Sequence, residues 1–294
     1  MQNREQASRN TTSVYSPTVG SAFDFPRRAA GAVPAHKLLF ATLPRCGSHF
    51  ICRHFFETGY AGLPLEYFNP AHWNRWRIRT AIEATGKSAA LASAKGEAST
   101  LADTEFPRAS NAHTFTALTR RRTGPNGCFS AKMHFSHMQT LNSIVPEAWF
   151  ADAHWVRIER LDILAQVVSL DIAVQTGSWI YTQRVWRTPV YDFQALRRRM
   201  VQLLRDRHAW SKFFKERGIQ QHIICYEKFA ADPAANVRAV LDAYGLNSDP
   251  LPEGIVLPKI PDIKNQSSPI NAEWVERFAD DLGEELKALT AKIA

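Results

Sequence analysis

An α/β fold, a central parallel β-sheet flanked by helices, is what this 294-residue sequence predicts. Short apolar or alternating runs recur at 37–43, 128–135, 154–160 and 221–227, too brief and without the period expected of helices. Between and after them lie helical runs at 50–58, 163–176, 192–217 and 234–244. Strands alternating with helices imply a parallel sheet covered on both faces, with the functional crevice at the carboxyl ends of the strands. With 45% hydrophobic and 11% aromatic residues the chain has ample material for a core. Residues 1–36 begin polar and read as a flexible arm; 37–294 read as a single domain.

The first strand and its exit organise everything else. Four apolar residues, Leu38 to Ala41, lead through Thr42, Leu43 and Pro44 into Arg45-Cys46-Gly47-Ser48-His49 and then the amphipathic run from Phe50 to Thr58. At such a strand–turn–helix junction the loop N–H groups and the unpaired donors of the first helical turn point at one spot, where the helix dipole also favours an anion. Arg45 adds a planar cation suited to phosphate or sulfate oxygens, and Gly47 permits close backbone approach. The Gly-Lys-Ser/Thr of the ATP-binding loop is missing, and a Gly turn of this kind also occurs for steric reasons alone.

The next segment, 59–70, holds two Gly and two Pro, which rule out regular structure, while its aromatic residues pin it to the core. In His72 to Arg79, aromatic and basic residues interleave, either to stack on a sugar or base or as a partly buried helix start. Residues 80–112 read as exposed helix and loop, and the run Arg120-Arg121-Arg122 as a solvated face beside a Gly-Pro-Asn-Gly turn. The second strand ends with Lys132 and His134 on one side. The third ends at Arg160 and runs into Asp162, a helix N-cap, followed by an apolar helix whose polar Gln166 and Ser169 require partners. Ser169 lies on the helix face nearest that strand end. A long helix at 192–217 stops at Gly218; the fourth strand, ending at Tyr226-Glu227, precedes Asp232-Pro233 and another helix. Lys259 and Lys264 lie in a Pro-rich connection before a last helix from about 271.

Charge narrows the partner without naming it. The 36 Lys and Arg outnumber 28 Asp and Glu, giving +8, which suits an anionic partner: nucleic acid, anionic lipid or a phosphorylated nucleotide. Cys46, Cys52, Cys128 and Cys225 show neither zinc nor redox spacing and read as reduced thiols of a cytoplasmic protein. No stretch reaches the roughly 20 apolar residues of a membrane span, and the first 18 residues are too polar for a signal peptide.

Together, Pro44-Arg45-Cys46-Gly47-Ser48, the segment Gly59 to Phe68, Lys132-Met133, Arg160-Leu161-Asp162 with Gln166 to Ser169, and Ala173 to Trp179 resemble, in this order, the bacterial trehalose 2-sulfotransferase-like family. The resemblance covers most of 37–280. It implies a P-loop-like sulfotransferase architecture that uses 3′-phosphoadenosine 5′-phosphosulfate as donor without a metal, and a carbohydrate, glycolipid or lipopolysaccharide hydroxyl, in some cases at a membrane surface, as acceptor; a homodimer fits the family. By the same resemblance Arg45, Cys46, Gly47, Ser48 and His49 bind the 5′-phosphosulfate, Arg160 with Ser169 binds the 3′-phosphate, Lys264 matches a basic closing loop, and Glu66 is the general base. The loop departs from the family's Arg-Ser-Gly-Ser-Thr at Cys46 and His49, which removes two hydroxyl donors. Lys132-Met133-His134 has instead the Lys-x-His spacing of the related cytosolic sulfotransferases, in which the His is the base, so Glu66 and His134 are both candidates.

In the implied reaction a sugar hydroxyl attacks sulfur in line and the bisphosphate leaves. The attacking group must lose a proton to a nearby base, and Arg45 and Lys132 answer the charge on the bridging oxygen. Two other classes remain at this level. A nucleic-acid binder would spread basic residues, with Trp73 and Trp76, over one face. A nucleotide kinase would need Mg²⁺ and a phosphate-loop lysine.

Overall fold

The computed structural model describes residues 19–25, 34–85, 107–179, 185, 187–259 and 268–285. The sheet forms as the sequence predicts: four strands, β1 (His36–Thr42), β2 (Cys128–His134), β3 (His154–Glu159) and β4 (Gln221–Cys225), in the order β2-β1-β3-β4. Every neighbouring pair is parallel. Because β2 lies on one side of β1 while β3 and β4 lie on the other, the chain reverses direction at β1/β3, and a crevice opens there at the strands' carboxyl ends.

Helices cover the sheet: α1 (Ser48–Glu57), α2 (Pro70–Ala84), α3 (Asn111–Arg122), the short α4 (Met138–Asn142) and α5 (Glu147–Ala151), α6 (Ile163–Thr176), α7 (Phe193–Arg217), α8 (Tyr226–Ala231), α9 (Pro233–Ala243) and α10 (Pro269–Leu282). Their starts follow local chemistry. The side chains of Asn69, Ser110, Asp162, Asp192 and Asp232 each accept a first-turn N–H, and Pro70 and Pro233 occupy the opening position where a missing N–H costs nothing. Gly177 and Gly218 close α6 and α7 in the left-handed conformation. The central strands lie in one apolar core, where Trp155 of β3 packs against Trp210, Phe213 and Phe214 of α7. Trp210 also donates its indole N–H to Thr42 O at 3.1 Å, which ties α7 to the exit of β1.

Three expectations need correction. Tyr226 and Glu227 do not extend the fourth strand; they open α8. Part of the supposed arm is docked: in 19–25, Val19 and Phe25 are buried, and Arg79 donates to Val19 O and to Asp24. The third correction is the triple-Arg run, which is not a solvated face. Arg122 is fully buried among the rings of Phe23, Tyr67 and Trp76, donating to Gly20 O at 2.7 Å and pairing with Asp24 at 3.2 Å. Arg121 pairs with Glu83. A rule that reads charge runs as solvent-facing fails where a neighbouring segment supplies the counter-charge, here Asp24, far away in sequence.

Asp24 therefore carries a measurable share of stability. Replacing it by Ala leaves Arg79, Arg121 and Arg122 around Glu83 alone, and urea denaturation should show a loss of about 3 kcal/mol, the scale for breaking a buried pair on one side. A loss below about 1 kcal/mol would mean that 19–25 does not dock in solution.

Candidate active site

The loop after β1 is folded for an anion. Arg45 has φ +60° and Gly47 φ +81°, both in the left-handed region. For Arg45 that conformation costs about 1 kcal/mol and persists because its neighbours are held. Gln166 Nε2 donates to Pro44 O at 2.7 Å, Arg160 Nη1 donates to Arg45 O at 3.2 Å, and Cys46 N donates to Leu43 O at 3.4 Å. Gly47 caps α1, and the first intrahelical acceptance there is Gly47 O from Ile51 N, so the N–H groups of Ser48, His49 and Phe50 have no carbonyl within the helix. These donors open toward the crevice end of the sheet.

Gly47 is required for a reason the sequence did not supply. A Cβ there would lie 2.2 Å from Tyr226 Cδ2, so the ring at the start of α8 is packed flush against the loop. The Arg160 guanidinium carbon lies 5.4 Å from the centre of the same ring. Beside it Glu227 accepts the N–H of Leu161 and of Asp162 at 3.1 and 3.2 Å, fixing the turn just after Arg160. Tyr226 and Glu227, read from sequence as the end of the fourth strand, are the props of Arg160 and the Gly47 turn. Their position at a strand's carboxyl end, the same signal that marks Arg160, was enough to place them here.

The two arginines expected to hold anions lie next to each other. Arg45 Nε donates to Ser169 Oγ at 2.9 Å and Arg45 Nη1 to Trp179 O at 2.6 Å, while Arg160 reaches back to the Arg45 carbonyl. Burial first and the neighbouring Arg160 second pull the Arg45 guanidinium below its ordinary range. The polar pair on the apolar helix α6 is accounted for: Gln166 holds the loop backbone and Ser169 the loop's arginine.

On the other side of β1 the chain builds an acid–base cluster. Segment 63–68 runs along the outer edge of β2, where Lys132 N donates to Leu65 O at 3.1 Å. Tyr67 and Phe68 are fully buried, with Tyr67 Oη donating to Leu63 O, so Glu66 just before them is held on an anchored loop. His72 Nδ1 donates to Glu66 O at 2.9 Å. The Glu66 carboxylate lies 3.0 Å from Lys132 Nζ and 3.9 Å from His134 Nε2. Lys132, fully buried, also reaches Ser48 Oγ at 3.4 Å, which links this cluster to the first turn of α1. Burial would raise the Glu66 carboxyl, but the Lys132 ammonium, by its charge and its hydrogen bond, outweighs burial and holds it well below the carboxylate range. Burial lowers His134, and the Lys132 charge, then desolvation, lowers His49, so both imidazoles are neutral at pH 7.

Most of the residues singled out from the sequence thus lie around one crevice: Arg45, Gly47, Ser48, His49, Glu66, Lys132, His134, Arg160 and Ser169. The Cys46 side chain is buried in the core, where burial raises its thiol, and it contributes only backbone. Lys264 lies outside the described residues. Trp73 and Trp76, with Arg75 and Arg79, are buried, so the segment 72–79 is core rather than a stacking surface for bases or sugars. Among the described residues no group of three metal-ligating side chains occurs, and no helix is long and apolar enough to cross a membrane.

Comparison with known proteins agrees with this geometry. Over 130 residues the chain is 32% identical to a trehalose 2-sulfotransferase of Mycobacterium tuberculosis (strain Erdman), a stretch that makes up 42% of this chain and 45% of that protein. The chain therefore matches less than half the length of that relative. A family model described as Stf0 sulphotransferase matches residues 37–281, from the first strand to the last helix of the fold, and the chain belongs to that family.

Proposed function

We propose that this protein transfers a sulfuryl group from 3′-phosphoadenosine 5′-phosphosulfate to a hydroxyl of a carbohydrate, free or carried on a glycolipid or lipopolysaccharide. The observation that supports the reading most is the contact of Arg160 Nη1 with the Arg45 carbonyl at 3.2 Å, which brings the two arginines side by side, as a nucleotide charged at both its 5′ and 3′ positions would require. The 5′-phosphosulfate falls to Arg45, Ser48 Oγ and the N–H groups of the first turn of α1, and the 3′-phosphate to Arg160 and Ser169. These donors fit phosphate and sulfate oxygens, and they supply the positive field without a metal.

Attack at sulfur forms a bond from the acceptor oxygen and breaks the bond to the bridging phosphate oxygen, which carries away the electron pair. Lys132, buried and near Ser48, is the cation for that oxygen. The acceptor's proton has two destinations within reach of one point, since an oxygen about 3 Å from both Glu66 and His134 fits between groups 3.9 Å apart. Trehalose, named for the relative, is the first acceptor to try. A cytoplasmic enzyme drawing on a cytoplasmic donor fits this chemistry.

Two measurements test the reading. Adenosine 3′,5′-bisphosphate at about 100 times its Kd should stabilise the protein by about 2.7 kcal/mol, read as a rise in Tm of about 5 °C with chelator present. Arg45→Ala and Arg160→Ala should each lose the rise, and a wild type that shows none overturns the donor assignment. Lys132→Met should lower kcat about a hundredfold or more and move the Glu66 carboxyl up: burial, which raises it, stays, while the main cation lowering it is gone. A ¹³C-carboxyl NMR titration that finds Glu66 still well below the carboxylate range in that variant would contradict this account of the pair.

A further inference from the structure

The last residue of β1 has not yet entered the chemistry. Thr42 lies opposite His134 in the parallel register of β1 and β2. Its hydroxyl is 3.0 Å from Met133 O and 3.0 Å from His134 Nδ1. A carbonyl oxygen can only accept, so the single hydroxyl proton goes to Met133 O. The oxygen must then accept from His134, which places the imidazole proton on Nδ1. Thr42 is fully buried, so water does not compete for this bond. Nε2 is left with a lone pair, and Nε2 is the atom that faces the Glu66 carboxylate.

Resting on the sulfotransferase reading above, we propose that Thr42 is a positioning residue that fixes the His134 tautomer, and that His134 Nε2, rather than Glu66, takes the proton of the acceptor hydroxyl. Glu66 is already committed to Lys132 at 3.0 Å, which makes it a weak base but a good counter-ion. In the transfer step the O–H proton moves to Nε2 while the oxygen pair forms the bond to sulfur and the leaving oxygen takes the electrons of the bond that breaks. The imidazolium then stands 3.9 Å from Glu66, and its charge is met there. No oxidant or further reactant is needed.

The groups facing His134 agree with this division of work. From β2 and its exit come Lys132 and His137; the His137 ring is centred 5.0 Å away, and its Nδ1 accepts the His134 backbone N–H. From the loop after α1 comes Glu66, from α1 His49, and from α7 Asp206. Lys132 opposes protonation, while Glu66 and Asp206 favour it. With burial lowering His134, its ring is neutral and ready at pH 7.

The test compares Thr42→Val, which keeps the β-branched shape and removes the hydroxyl while leaving the Thr42 carbonyl that also favours the charged ring, with Thr42→Ser, which keeps the hydroxyl. Thr42→Val should lower kcat with trehalose about tenfold or more, leave adenosine 3′,5′-bisphosphate affinity unchanged, and shift the acid limb of the pH–rate profile downward. The sign follows because a bond accepted from Nδ1–H is stronger to imidazolium than to imidazole, so its loss disfavours the charged form. Thr42→Ser should restore both rate and profile. Independently of any acceptor, ¹⁵N-histidine NMR of the wild type, with His134 identified by its loss in His134→Asn, should show Nδ1 protonated and Nε2 bare at pH 7. Nε2 found protonated there, a Thr42→Val enzyme with the wild-type rate and profile, or transfer lost in Glu66→Gln but kept in His134→Asn would each overturn the proposal. A wild type that neither binds the bisphosphate nor transfers sulfate overturns the sulfotransferase reading instead, and the NMR tautomer still decides the place of Thr42.

Discussion

The Arg160 guanidinium held on the backbone carbonyl of Arg45, with the two side-chain charges as neighbours, is the constraint on which this crevice is built. Arg45 and Arg160 repel, and Arg45 is also partly desolvated. Neither electrostatics nor solvation would choose this arrangement, so the backbone imposes it. The left-handed Arg45 is held through its own carbonyl by Arg160, Pro44 is held by Gln166, and the turn after Arg160 is held by the Glu227 carboxylate. Each prop comes from a different element, α6, the exit of β3 and α8, which is why the site needs the sheet order β2-β1-β3-β4 to exist at all. An anion entering here relieves a repulsion that folding has already accepted. That is how preorganised charge gains its effect without reorganising at the moment of reaction.

The opposite flank of β1 solves a different problem. There a carboxylate, an ammonium and an imidazole are kept within about one contact of each other in a mostly dry environment, and the anchored loop 63–68 fixes their order. Lys132 lies between the Ser48 hydroxyl and the Glu66 carboxylate, so it couples the anion end of the crevice to the proton-accepting end. Had the lysine no carboxylate, its buried charge would be unpaired; had the carboxylate no lysine, burial would favour its neutral form. The pair stabilises both charges, and the His134 ring beside it, which burial holds below the ordinary histidine range, stays uncharged.

How much of this was legible in the sequence depended on whether the determining contact was local. The strand–loop–helix at 37–58, the cap at Asp162, the stop at Gly218 and the strand-end placement of Arg160 all follow from residues within a few positions of each other, and all are found. So is the pinned loop at Glu66, since two Gly, two Pro and buried aromatics lie inside it. What escaped was decided across the sheet. Tyr226 against Gly47, Thr42 opposite His134 and Asp24 against Arg122 join segments 92 to 179 positions apart. No periodicity or spacing reports such pairings. The Gly47 case is instructive because its sequence reading, close backbone approach, named the right cause, and the fold adds a neighbour, Tyr226, that no local pattern reports.

The same distinction explains why the net charge of +8 said so little about the partner. Much of the arginine content is spent on ion pairs within the protein, some buried and some at its surface. Arg79, Arg121 and Arg122 surround Asp24 and Glu83, Arg157 and Arg207 share Glu159, Arg197 pairs with Glu285, and Arg217 pairs with Glu147. Guanidinium is the cation best suited to such pairing, because its planar donors meet a carboxylate side by side and its weak hydration makes burial less costly. A high arginine content therefore need not mean a charged surface, and a nucleic-acid face does not follow from the sum. The cations that the proposed transfer calls on are three, Arg45, Arg160 and Lys132. What sets them apart from the rest is a position at or just beyond the carboxyl end of a parallel strand, where a small anion meets the loop, the helix terminus and the side chain at once.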